Sequence, residues 1–238
     1  MIPDSRFLIP DCPSSPIRNQ ESGIRNLLCI AQTSAQVPAN DSWLSDDEKK
    51  IAAGFRVPKR RADWRLGRWT AKQVVCAYLL QEDLVLSSLE IRAAGDGAPE
   101  AFYKGEPAAV TISISHSRDR SFCAAGPLGI GIGCDLEWVE PREENFAADY
   151  FTAEEISFIP QAPTKRELAE TLIWSAKEAT LKILRKGLSR DTRTVLIHPD
   201  LSGPDDAWRR WTGRCMESGR IFNGWWRAAD GFVYTVAS

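Results

Sequence analysis

Asp135 and Glu137 stand two residues apart in GIGCDLEWVE, residues 131–140, among apolar neighbours. Side chains of a β-strand alternate faces, so residues i and i+2 point the same way. The two carboxylates would lie side by side, while Ile132, Cys134, Leu136 and Trp138 would face a core. Like charges this close repel unless something positive sits between them. Two readings follow. One is a solvated face of an antiparallel strand. The other is a hard divalent cation such as Mg²⁺, which takes few carboxylates and keeps waters or substrate phosphates as its other ligands. Further on, Glu178 and Lys182 lie one helical turn apart, hence as neighbours. Alone they read as a surface ion pair. With Asp135 and Glu137 they make three carboxylates that could hold one Mg²⁺, and a lysine that could touch a phosphate bound to the same ion.

Complementary charge lies earlier in the chain. Arg61, Arg65, Arg68 and Lys72 recur at i, i+4, i+7 and i+11, with Arg56, Lys59 and Arg60 just before them and Asp63 as the only acid from 56 to 72. This is a solvated basic flank or a phosphate-recognition surface, since guanidinium groups suit bidentate phosphate contacts. Ser115, His116 and Ser117 close an apolar strand about twenty residues before the acidic pair. A histidine there is structural, or it reaches the same site as the acids.

The elements that must carry these residues can be read in order. IRNLLCIAQ (24–32) reads as a strand. WLSDDEKKIAAGF (43–55) reads as a helix capped by Ser45 ahead of three acids, and YFTAEEISFI (150–159) as another capped by Thr152. Two long helices are expected, RRADWRLGRWTAKQVVCAYLLQ (60–81) and KRELAETLIWSAKEATLKILRKG (165–187), the second stopped by Gly187. In the first, Trp64, Ala71, Val75 and Tyr78 share a stripe. In the second, Leu168, Leu172, Ala176, Ala179 and Ile183 form the buried one. LEIRAA, AAVTISISHS, SFCAAG, GIGIGCDLEWV, TRTVLIH, RIFNGWWRA and GFVYTVA read as strands. Gly129, Gly131 and Gly133 alternate inside such a pattern, and read as close backbone approach rather than as a phosphate loop.

The list repeats itself. L-S-D-D-E, R-R and W-T-A-K-Q are followed by F-T-A-E-E, K-R and W-S-A-K-E, with 24 residues from Ser45 to Trp69 and 22 from Thr152 to Trp174. Two copies of so long a period imply an α+β fold of two pseudo-symmetric lobes, each a long helix on a small, mainly antiparallel sheet. Lobes so related would meet in a cleft suited to a ligand. The expected boundaries are an irregular arm at 1–22, an N-terminal lobe at 23–128 and a C-terminal lobe at 129–238. The copies differ where Gln73 stands in place of Glu178.

Bulk properties narrow the function. The chain has 238 residues and a net charge of −2, so it is not a polyanion binder as a whole. With one basic flank and no stacking platform, nucleic acid is the least favoured partner. No apolar run is long enough to span a bilayer, and the N-terminus lacks the pattern of a secretory signal. Cys12, Cys29, Cys76, Cys123, Cys134 and Cys215 include no C-x-x-C pair, and read as reduced, mostly buried thiols of a cytoplasmic protein. Only His116 and His198 are present, so histidine-rich zinc chemistry is excluded, and neither G-x-S-x-G nor a P-loop occurs.

In this order, DGAPEAF (96–102), ISISHS (112–117), GIGCDLE (131–137) and WSAKEATLK (174–182) resemble the Sfp-type 4′-phosphopantetheinyl transferases. The resemblance is strong over about residues 43–190 and loose at the ends. It implies transfer of the phosphopantetheine arm of coenzyme A to a serine of an acyl, peptidyl or aryl carrier protein, releasing adenosine 3′,5′-bisphosphate. By the same resemblance Asp135, Glu137 and Glu178 would be Mg²⁺ ligands, and Lys182 would contact the transferring phosphate. The base would be Glu178 or a water on the metal. Ser115 and His116 would line the coenzyme A phosphate site, and Lys59, Arg60, Arg61 and Arg68 would grip the 3′-phosphate. Ala98 departs from members with lysine in that turn. The protein would be a monomer, by analogy. Two alternatives stay open: a Mg²⁺-dependent phosphotransferase on another nucleotide, and a non-catalytic module that binds coenzyme A or a carrier.

Overall fold

The computed structural model describes residues 6–8, 27–80, 84–160, 163–185, 191–204 and 206–238. The chain divides into two compact units, Met1–Ile130 and Gly131–Ser238. The first contains β1 (Arg6–Leu8), β2 (Leu28–Thr33), α1 (Asp46–Gly54), α2 (Pro58–Tyr78), β3 (Leu89–Ala93), β4 (Pro99–Tyr103), β5 (Glu106–Pro107), β6 (Val110–Ser117) and β7 (Arg120–Pro127). The second contains β8 (Gly133–Trp138), α3 (Phe146–Tyr150), α4 (Ala153–Ser157), α5 (Pro163–Ile183), β9 (Val195–Pro199), β10 (Arg209–Cys215), β11 (Ile221–Ala229) and β12 (Phe232–Ala237).

Each unit packs one 21-residue helix on an antiparallel sheet, as the repeat predicts. In the first unit the sheet order is β1-β2-β7-β6, with a separate sheet β3-β4-β5; in the second it is β8-β12-β11-β10-β9. Ala71, Val74 and Val75 of α2 bury against Ile30, Ile112 and Cys123. Leu172, Ile173, Ala176 and Ala179 of α5 bury against Val195, Trp211, Phe222 and Trp226. The stripe expected on α5 is the buried one, with Leu168 at its margin. The repeat also reaches further back than the two helices. In each unit a strand precedes the capped helix, and the unit's last strand pairs antiparallel with it, β7 on β2 and β12 on β8.

Several elements differ from expectation. Within the N-terminal stretch read as irregular, Arg6–Leu8 pair with β2. The helix read over 150–159 with Thr152 as its cap is α4, shorter than expected, and α3, which ends at Tyr150 just before it, was not foreseen. β10 escaped notice because its inward residues are Arg209, Trp211, Gly213 and Cys215, a period-two pattern hidden by an arginine and a glycine. Arg209 is buried because its guanidinium lies 3.8 Å from the Trp226 ring centroid and Nη1 donates to the carbonyls of Ser202 and Gly203. GDGAPE (95–100) reads as a turn after the LEIRAA strand, and β4 begins within it at Pro99. The Gly187 helix stop lies outside the described residues.

One polar assembly occurs in both units. Ser45 and Glu48 form a capping box at α1, and Thr152 and Glu155 form one at α4. Each capping glutamate is buried, 3% and 0% exposed, and each also accepts from a lysine of the long helix that is itself 0% exposed. Lys72 lies 2.5 Å from Glu48 and Lys177 lies 2.8 Å from Glu155. The remaining ammonium protons go to backbone carbonyls, Trp43 and Leu86 in one unit, Thr192 and Val195 in the other. The second carboxylate oxygen accepts a strand N–H, from Ile91 or from Ile197. Each assembly therefore ties a short helix, a long helix and a strand. Burial lowers the pKa of both lysines, against the opposing pull of the paired carboxylate.

Removing one partner leaves a buried charge alone, which costs far more than the intact pair contributes. Lys177→Met is expected to lower the unfolding free energy by about 3–5 kcal/mol, and Lys72→Met by a similar amount. Urea unfolding curves measure both. A loss no larger than that of an exposed ion pair, about 1 kcal/mol or less, would show that the pair does not anchor its unit.

Candidate active site

β8 carries Asp135 and Glu137 on the face toward α5, and Cys134 and Leu136 on the other. Asp135 is only 4% exposed, which rules out the solvated-face reading of this strand. The strand and helix come unusually close. A Cβ on Gly133 would stand 1.8 Å from the Ala179 carbonyl oxygen, and one on Gly131 would stand 2.7 Å from Ile183 Cγ2. These two glycines mark close backbone approach, as expected. Gly129 does not: its φ is +83° with nothing near its missing Cβ, so it serves a turn.

That approach sets α5 side chains among the β8 acids. Ser175 Oγ donates to Asp135 Oδ2 at 2.8 Å and meets Thr235 Oγ1 at 2.8 Å. Lys182 Nζ donates to Asp135 Oδ1 at 2.9 Å and to the Cys134 carbonyl at 2.8 Å. Trp174 Nε1 donates to Glu137 Oε1 at 3.0 Å, and Arg142 Nη2 reaches Glu137 Oε2 at 3.4 Å. Glu178 Oε1 is buried with no hydrogen-bond partner. Lys182 thus spends its protons on β8 rather than on the helical ion pair that spacing alone suggested.

The electrostatics follow from that crowding. Burial, then the Asp135 charge, raises the Glu178 carboxyl to about 7; Lys182 opposes the shift and Glu137 adds to it. Burial and Asp135 also raise Glu137, against Arg142 and the Trp174 hydrogen bond. Burial pulls Lys182 down, but Asp135 and its neighbours push it above its ordinary value.

Hard oxygen donors and an orphaned, buried carboxylate oxygen suit Mg²⁺. Among the described residues, no three acidic, histidine or cysteine side chains already stand as a converged ligand set. The reason is visible in their partners: Lys182 and Ser175 hold Asp135, while Trp174 and Arg142 hold Glu137. Their donor types suit the ion, while in this structure those partners answer the two acids of β8.

In the first unit the basic flank is largely engaged. Lys72 is inside the capping assembly and not on a surface. Arg65 and Arg61 pair with Asp41, and Lys59 with Asp63. Arg60 is exposed. Arg68 is half-buried over the Trp64 ring, 4.9 Å from its centroid, with Nε buried and unpartnered; burial lowers its pKa. Ser115 is buried and His116 exposed at the end of β6, opposite Phe122 and Ser121 of β7.

Trp174, Ser175, Thr235 and Arg142 were not foreseen as parts of the site. The repeat held a clue for two of them. In the first copy Thr70 bonds back to Leu66 of its own helix, and Trp69 Nε1 is buried without a partner. Only beside acids do the same motif positions turn into donors to a strand. Arg142 left no periodic signal, because it sits in the irregular segment after β8.

Residues 131–214 match the family model of the 4′-phosphopantetheinyl transferase superfamily. A 105-residue stretch is 30% identical to the 4′-phosphopantetheinyl transferase psf-1 of Bacillus pumilus, covering 39% of this chain and 44% of that protein. The chain therefore spans under half the length of this curated relative. No helix among the described residues is long and apolar enough to cross a membrane.

Two measurements test the site's geometry and charge. Gly133→Ala is expected to force α5 off β8 and to lower the melting temperature sharply; an unchanged melting temperature would contradict the contact. Glu178 has a folded-state pKa above its unfolded one, so the unfolded chain releases that proton first as pH rises. Stability from this group is present below about pH 4.5 and is lost on approaching about pH 7. With EDTA present, Glu178→Gln is expected to melt near wild type at pH 5 and above it at pH 8. A gap that does not widen with pH would refute the burdened carboxylate.

Proposed function

We propose that this chain, which belongs to the 4′-phosphopantetheinyl transferase superfamily, transfers the 4′-phosphopantetheine arm of coenzyme A to a serine of an apo carrier protein, with Mg²⁺. The observation that carries this reading is the meeting of Asp135, Glu178 and Lys182 where β8 approaches α5, with Glu137 two residues along, all within residues 131–214. Asp135, Glu137 and Glu178 are the residues that would hold Mg²⁺. When bound, the ion would neutralise and orient the pyrophosphate oxygens.

The protein's own groups divide the remaining work. The carrier serine hydroxyl forms a new P–O bond at the phosphorus bearing pantetheine, and the bond from that phosphorus to the bridging oxygen breaks. Adenosine 3′,5′-bisphosphate leaves with the bridging oxygen and its electron pair. The serine proton needs a nearby base, and Glu178 is the carboxylate of this chain proposed for it, a water on the metal being the alternative. Lys182, 30% exposed and braced on Asp135 Oδ1, offers positive charge to the transferring phosphate. By the family resemblance, Lys59, Arg60, Arg61, Arg68, Ser115 and His116 are proposed for coenzyme A's other phosphates, and Lys59 and Arg61 would first have to leave their exposed ion pairs. Exposed pairs of that kind contribute little and exchange readily.

Intact-mass spectrometry of an apo carrier incubated with the protein, coenzyme A and Mg²⁺ tests the reaction. The expected result is a phosphopantetheine mass gain that EDTA removes. Asp135→Ala is expected to abolish the gain while the protein stays folded by circular dichroism. No gain on acyl, peptidyl or aryl carriers, with coenzyme A still bound, would support a binding module instead.

A further inference from the structure

Arg142 stands apart from the other partners of the acids. It lies between β8 and α3, five residues beyond Glu137, and its side chain is 17% exposed. Its guanidinium carbon is 5.0 Å from the Phe146 ring centroid, a cation–π contact that favours the group beside the site apart from any carboxylate. Phe146 is itself packed against Trp174, ring centroids 5.4 Å apart, and Trp174 holds the other oxygen of Glu137. The arginine is thus built into the same wall as the acid.

Its grip on the acid is nevertheless loose. Nη2 is 3.4 Å from Glu137 Oε2, where charge-assisted N–H···O⁻ bonds run at about 2.7–2.9 Å. Nε is buried with no hydrogen-bond partner. A guanidinium presents its donors in a rigid fork that matches phosphate oxygens in pairs. Here the fork meets a carboxylate at one corner only. A divalent cation on Glu137 would meet Arg142 at the same carboxylate, and the two positive groups would compete for it. Asp135, Glu137 and Glu178 with Lys182 and Arg142 leave one negative charge in excess when Glu178 is ionised. A divalent cation would reverse that sign and leave the arginine in want of an anion.

We propose that Arg142 is an exchange residue, holding Glu137 until a divalent cation takes that carboxylate and then turning its fork to a phosphate oxygen of the substrate. The inference rests on the reading of the site as one for Mg²⁺ and coenzyme A. Its consequence is cooperative binding, in which each of the two favours the other by the same factor.

Calorimetric titrations of the folded protein separate the parts. Wild type is expected to bind coenzyme A at least about fivefold more tightly with Mg²⁺ than without. In Arg142→Gln, Mg²⁺ alone should bind more tightly than in wild type, because the competitor is gone, and the enhancement of coenzyme A binding should shrink. Arg142→Lys keeps the charge without the fork, so Mg²⁺ alone should bind as in wild type while the enhancement still falls; it serves if the glutamine variant does not fold. Asp135→Asn should lose the Mg²⁺ response. If Asp135→Asn loses it while Arg142→Gln binds Mg²⁺ no more tightly than wild type, the exchange role fails and the metal site stands. If wild type binds no Mg²⁺ with or without coenzyme A, the reading beneath both fails.

Discussion

The buried lysine–glutamate pair is the interaction on which each unit depends. An ammonium group in an apolar interior is tolerable only if charge and hydrogen bonds are all answered. Lys177 answers them with Glu155 and two carbonyls, and Lys72 with Glu48 and two carbonyls. The glutamate is at once the helix cap, the counter-ion and the acceptor of a strand N–H. Such an assembly has one geometry that satisfies every atom. It therefore fixes the rotation of the long helix about its axis, and with it the direction of every other residue on that helix.

Glu178 follows Lys177 directly, so its direction is set by that constraint. Ser175 and Trp174 precede Lys177 and are aimed at β8 by the same rotation. The first unit holds its helix the same way but offers no acids to meet. With Cys29 and Cys134 in register, Ile30 and Gln32 stand where Asp135 and Glu137 stand, and Gln73 stands for Glu178. The candidate site is a small change of side chains on a frame that both units share.

That change makes the site electrostatically unsettled. Three carboxylates crowd a partly buried edge of the sheet, and their cationic neighbours are Lys182, held on Asp135 and the Cys134 carbonyl, and Arg142, whose contact with Glu137 is long. Glu178 bears the largest burden, with a pKa of about 7 and a buried oxygen that nothing satisfies. Unsatisfied buried groups are costly, and their persistence here fits a place made to receive charge. Hydrogen bonds from Ser175, Trp174 and Lys182 of α5 to β8 hold strand and helix together around it.

Much was legible without coordinates. Periodicity, capping residues and the W-[ST]-A-K repeat are local or nearly local signals, so the two lobes, both caps and the α5 stripe could be read along the chain. The acids themselves were visible by type and spacing. What the chain did not disclose is which polar groups answer one another. Lys72 looked like part of a basic face because helical spacing says nothing of a glutamate 24 residues earlier. β10 was hidden because its buried arginine donates to carbonyls and lies over an aromatic ring from elsewhere in its unit. The donors to Asp135 and Glu137, from α5 and from the segment after β8, became known only once the backbone brought them together. Residue types and local pattern are properties of the chain, but burial and pairing of charge depend on distances that only the folded structure creates.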